Sequence, residues 1–135
     1  MSYKILEHTA DVRMLVQADS LEKLFSDAVY GMMEILKPRV EDKKKKTQRT
    51  IVLEAVDTTA LLVDFLNEVL LSVHIHKEMY DEVIFETLSL HSLEATLRGF
   101  TASSFDEDIK AVTYHEAEVK ETKDGNWETM IIFDI

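Results

Sequence analysis

Two aspartates near opposite ends of the chain, Asp11 and Asp134, each border an apolar strand pattern, and Ile135 directly follows the second. In Thr129-Met130-Ile131-Ile132-Phe133-Asp134-Ile135 a carboxylate side chain precedes the α-carboxylate of Ile135. Burying adjacent anions is costly unless a cation or several donors meet them, so a metal ion or a lysine is the first counter-charge to look for. Near the other end, Glu7-His8-Thr9-Ala10-Asp11-Val12 groups further oxygen and nitrogen donors just ahead of a strand. Carboxylates are hard donors suited to Ca²⁺, Mn²⁺ or Mg²⁺. The expectation is a single anionic site built from both ends of the chain. A lone aspartate, by contrast, is more often a turn or cap residue.

The elements that must position such a site read as strand, helix, strand, helix and then a run of strands. Val12, Met14, Val16 and Ala18 alternate with Arg13, Leu15 and Gln17, the pattern of a half-buried strand. Asp19 or Ser20 caps a helix whose apolar face is Leu21, Leu24, Phe25, Ala28, Val29, Met32 and Leu36, stopped by Pro38. The run Glu41 to Lys46 has no apolar period and reads as a solvated loop, and Thr50 to Val56 reads as a strand. A second helix starts at Asp57 to Thr59 and buries Leu61, Leu62, Phe65, Leu66, Val69, Leu70 and Val73, with His74 and His76 following it. Strand patterns come next at 82–90, 93–100, 111–119 and 127–135. Two helices against a mostly antiparallel sheet make an α+β fold, and 135 residues make one domain, 1–135.

The last two strands give a register. With Asp124-Gly125 as a two-residue turn, Val119 faces Met130, Ala117 faces Ile132 and His115 faces Asp134. His115 is therefore expected beside the terminal carboxylates, as a group orienting the metal site from behind its ligands.

Composition narrows the function classes. A formal charge of -11, from 15 basic against 26 acidic residues, disfavours an extensive nucleic-acid surface, which needs cationic side chains. The absence of cysteine removes disulfides, thiolate metal sites and a thiol nucleophile, and fits the cytoplasm. No segment reads as a signal peptide or a membrane span. Neither a glycine-rich phosphate loop nor a nucleophile elbow is present, so no independent catalytic machinery is visible.

Four segments in order resemble the archease family over nearly the whole chain: Glu7-His8-Thr9-Ala10-Asp11-Val12, Leu61 to Leu70, Ile109-Lys110-Ala111-Val112-Thr113-Tyr114-His115, and Ile132-Phe133-Asp134-Ile135. That family usually has glycine after the valine of the first motif, where this chain has Arg13. The resemblance implies a small α+β protein that assists an RtcB-type RNA ligase in tRNA splicing. It speeds GTP-dependent guanylylation of the ligase and restores multiple turnover without joining RNA itself. Asp11 and Asp134 are thereby implied as metal residues, and Lys110 as the basic residue needed for activation. The Ile135 carboxylate is added from its position and His115 from the register. A chaperone-like interaction module and a metal-dependent nucleotide hydrolase are the alternative readings.

Overall fold

The computed structural model describes residues 2–6 and 11–135. In chain order the elements are β1 (Ser2–Leu6), β2 (Asp11–Ala18), α1 (Leu21–Leu36), β3 (Pro38–Arg39), β4 (Lys46–Glu54) and α2 (Thr58–His76). They continue as β5 (Glu78–Leu88), β6 (Ser92–Thr101), β7 (Ser104–Phe105), β8 (Ala111–Thr113), β9 (Lys120–Glu121) and β10 (Trp127–Asp134). One sheet runs β1-β2-β10-β8 with β9 also on β10, a second runs β4-β6-β5, and β3 pairs with β7. All pairings are antiparallel, and with two helices this is the α+β architecture expected. Three strands lie outside the expected set: β1, whose short alternation is weak, and the paired β3 and β7, too short to leave a pattern.

Alternation explains the first sheet. Val12, Met14, Val16 and Ala18 of β2 face inward with Thr129, Ile131 and Phe133 of β10, while Asp11, Arg13, Leu15 and Gln17 face out. Helix α1 covers the inner face. Its Ser20 cap accepts a hydrogen bond from Lys23 N–H at 3.1 Å, and Lys37 closes it in the left-handed region at φ 51°. Gly31 lets it lie close, since a Cβ there would strike Met14 Sδ and the Tyr3 ring.

Helix α2 is capped by Asp57, whose side chain accepts from Ala60 N–H at 2.8 Å. His74 and His76 lie in its last turn rather than beyond it. By length and composition alone α2 is apolar enough to cross a membrane, against the sequence expectation. It is apolar on most sides because it packs on α1, β4, β5 and β8. Phe25 of α1, Phe65 of α2 and Phe85 of β5 meet with ring centroids 5.7 to 6.2 Å apart, tying both helices to the second sheet.

A buried charge fixes the second sheet to α2. Glu78, 4% exposed, receives Arg49 Nε at 2.9 Å and Nη2 at 2.8 Å, and the Tyr80 hydroxyl at 2.8 Å. The Tyr80 hydroxyl also meets Ser72 of α2 at 2.6 Å. The Arg49 hydrogen bonds hold the Glu78 carboxyl below the ordinary glutamate range against the opposing effect of burial, and burial pushes the Tyr80 hydroxyl up.

A carboxyl depressed in the folded state stabilises above its unfolded pKa, and that contribution is lost as pH falls through the folded value. Glu78→Gln is therefore expected to lower stability at neutral pH and to flatten the acid limb below the ordinary value of 4.5. Tyr80→Phe should cost about 1–2 kcal/mol, because it removes the hydroxyl that links the buried Glu78 carboxylate to Ser72 of α2. Urea midpoints followed from neutral to acid pH check both, and an unchanged acid slope in Glu78→Gln would show that the carboxyl is not part of the stability balance.

Candidate metal centre

The register of β2 against β10 places Asp11 directly opposite Asp134. Alternation puts both on the outward face at one end of the sheet, where directly opposed Cβ atoms lie about 5 Å apart. Two carboxylates so placed repel by on the order of 1 kcal/mol even when fully hydrated. Among the described residues neither side chain has a hydrogen bond or an ion pair to offset this. The pairing is obligatory, because a slip of one residue would turn Val12, Met14, Ile131 and Phe133 out of the core.

Lys110 reaches this end from the chain entering β8. Its backbone N–H donates to the Asp134 carbonyl at 2.7 Å, its side chain is exposed, and the preceding Ile109 is fully buried. The described residues thus bring together Asp11, Asp134, Ile135 and the Lys110 backbone. Glu7 and His8 of the first motif lie outside the described residues. No three His, Asp or Glu side chains converge among the described residues, so two opposed carboxylates are the side-chain oxygen donors here.

His115 does not face Asp134. Ala111 does, with Val112 opposite Phe133 and Thr113 opposite Ile132. Two events displace it. The hairpin loop holds three residues, Lys123, Asp124 and Gly125, with Gly125 N–H donating to Thr122 O at 3.0 Å and Gly125 at φ 81°, so Glu121 pairs with Trp127. The strand expected at 111–119 then breaks into β8 and β9, and the intervening residues leave the ladder through a turn closed by Ala117 N–H on Tyr114 O at 3.1 Å. His115 sits in that turn, beside Glu116 at φ 57°.

Helix α2 draws this segment away. The Asn67 side-chain amide donates to Val112 O and accepts from Val112 N–H, each at 2.9 Å, taking the place of a neighbouring strand on the β8 edge. Tyr114 hydrogen-bonds Asp64, which pushes the phenol up, and Val119 N–H donates to Thr59 Oγ1 at 2.9 Å. Arg13 Nη1 meets Glu116 Oε2 at 2.8 Å, so the residue that departs from the usual glycine anchors the loop to β2. Asn67 was missed as a positioning residue. Its available signal was an amide in the middle of an apolar helix.

Residues 3–135 match the model of the Archease protein family (MTH1598/TM1083). "Protein archease" of Methanosarcina mazei is 28% identical over 141 residues, covering 98% of this chain and 95% of that protein. That of Methanosarcina barkeri is 31% identical over 143 residues, with the same coverage. The solution structure of Methanobacterium thermoautotrophicum protein 1598 superposes with a TM-score of 0.70 at 22% identity, covering 99% of each chain. The crystal structure of an archease, described as a possible chaperone, from Thermotoga maritima also gives 0.70, at 21% identity, covering 98% of this chain and 96% of that one. At those identities the structures speak for the fold, and the family match speaks for kinship. The chain belongs to the archease family.

Proposed function

We propose that this protein is an accessory factor that promotes GTP-dependent guanylylation of an RtcB-type RNA ligase in tRNA splicing, and does so in the cytoplasm. The observation that carries this reading is the opposed pair Asp11 and Asp134 beside Lys110, an arrangement whose repulsion calls for a cation. The donor set fits a hard divalent ion, Ca²⁺, Mn²⁺ or Mg²⁺, with the Ile135 main-chain oxygens next along the chain. Such an ion supplies charge neutralisation for nucleotide phosphates. Asp11 and Asp134 would hold it at the outward end of the sheet, within reach of a partner's active site. Lys110 places an ammonium against negative charge developing on the transferred nucleotide. GTP and the nucleophile belong to the ligase, so this chain stabilises a competent geometry without reacting itself. The excess of acid suits a basic, RNA-binding partner.

A chaperone-like interaction module is the second reading, favoured by exposed apolar side chains at one end of the second sheet. Val56 is 85% exposed and Leu90 50%, next to the contact of Ala55 N–H with His91 O. That reading gives Asp11 and Asp134 no special role, whereas a nucleotide hydrolase would turn over GTP with no ligase present.

Calorimetric titration of Ca²⁺ or Mn²⁺ should show one site in the wild type, weakened about tenfold or more in Asp11→Asn and in Asp134→Asn. Equal affinities in all three would remove the pair from any metal site. Lys110→Ala should melt within about 0.5 kcal/mol of the wild type, as exposed substitutions do, yet cut ligase guanylylation at least tenfold. Lys110→Arg should restore part of the rate, since a planar guanidinium presents its donors differently from an ammonium. Full stimulation by a folded Lys110→Ala protein sinks the assignment.

A further inference from the structure

At the end of the first sheet that carries Asp11 and Asp134 outward, the inward face runs past the last turn of α1. There the sheet and the helix part around a cavity of about 450 Å³, within the range of small-molecule pockets. Its described lining is an apolar floor of Ile5, Val12, Ile35 and Ile135, with Glu34, Glu107, Asp108 and Lys37 also lining it. The four apolar residues come from β1, β2, α1 and the residue after β10, so the concavity is built by the fold rather than by one loop.

Charge selects the occupant. The C-terminus of a helix carries partial negative charge and is ordinarily matched by basic residues in its last turn. The last turn of α1 holds none, and carries Glu34 instead. Glu107 N–H donates to Leu36 O at 3.2 Å, bringing the carboxylates of Glu107 and Asp108 to the same helix end. Lys37 is the one cation among the lining residues, and it faces Asp106 as well. Asp108 meets His74 Nε2 at 3.2 Å through one oxygen, burial and the nearby Glu34 push the Tyr3 phenol up, and Glu34, Glu107 and Asp108 are all exposed. An apolar floor under three carboxylates matches a side chain that is aliphatic along its stem and cationic at its tip.

We propose that this cavity receives an arginine side chain of a protein partner, its methylene stem on the isoleucines and its guanidinium among Glu34, Glu107 and Asp108. Arginine is preferred over lysine because a planar guanidinium offers five donors to several carboxylates and is weakly hydrated. The docking surface is separate from the carboxylate pair, which lies on the other face of the sheet. It rests on the reading that this end of the molecule meets a protein, and its test uses a small probe so that the two fail separately.

The floor supplies its own reporters. Isoleucine δ1-methyl NMR spectra of the full chain, titrated with butylguanidinium as the arginine stand-in, should show saturable shifts at Ile5, Ile35 and Ile135, with Ile51 and Ile84 of the second sheet silent. The neutral isostere butylurea should bind about tenfold more weakly. A Glu107→Gln and Asp108→Asn double variant should weaken butylguanidinium several-fold and leave butylurea unchanged. Equal response to the two probes, or no shift at the three methyls, overturns the proposal. Tighter binding of spermidine at the same methyls assigns the cavity to a free polyamine and overturns it as well.

Discussion

The antiparallel pairing of β2 with β10 is the constraint on which the rest depends. It joins the second strand of the chain to the last and completes the face that α1 covers. It also leaves Asp11 opposite Asp134 with like charge and no described counter-ion. Eight residues of β10 pair in unbroken register, and Met14, Val16, Ile131 and Phe133 within it are fully buried, so the core fixes where the carboxylates stand. The repulsion is small beside the burial it accompanies. The core can therefore hold an anionic pair in place with no ion bound.

Helix α2 does for the other edge of that sheet what a fifth full strand would do. Asn67 clasps the backbone of Val112, Thr59 takes Val119 N–H and Asp64 takes the Tyr114 hydroxyl, so the chain from β8 to β9 runs along a helix instead of along β10. The consequence for the site is direct. Held on one side by Asn67 and on the other by β10, β8 delivers Lys110 against the Asp134 carbonyl while its ammonium stays in water. Arg13, bound to Glu116, fastens the outer turn.

Much of this was legible in the residues. Both helices declared themselves by apolar spacing and by Ser20 and Asp57 at their starts, and β2 and β10 by alternation, which together suffice to bring Asp11 and Asp134 to one sheet. The position of His115 was not legible. Asp124-Gly125 marked a turn correctly, but a two-residue and a three-residue loop share that signature, and one residue changes every partner downstream. The departure of residues 114–119 from the ladder follows from contacts with Thr59, Asp64 and Asn67, all distant in sequence, which no local pattern records. Much of the membrane-like apolarity of α2 has the same origin, since only the fold shows that four other elements pack against it.

The proposed role turns on a carboxylate pair, Asp11 and Asp134, whose mutual repulsion a bound cation would relieve. A double-mutant cycle of folding stability on Asp11→Asn and Asp134→Asn, run once in chelator and once in saturating Ca²⁺, measures that coupling free of any partner. The account predicts a repulsive coupling without the ion, each single neutralisation giving most of the gain of both. With Ca²⁺ the sign should reverse, because either replacement would remove one of the two carboxylates proposed to hold the ion. A coupling near zero in both conditions would contradict it.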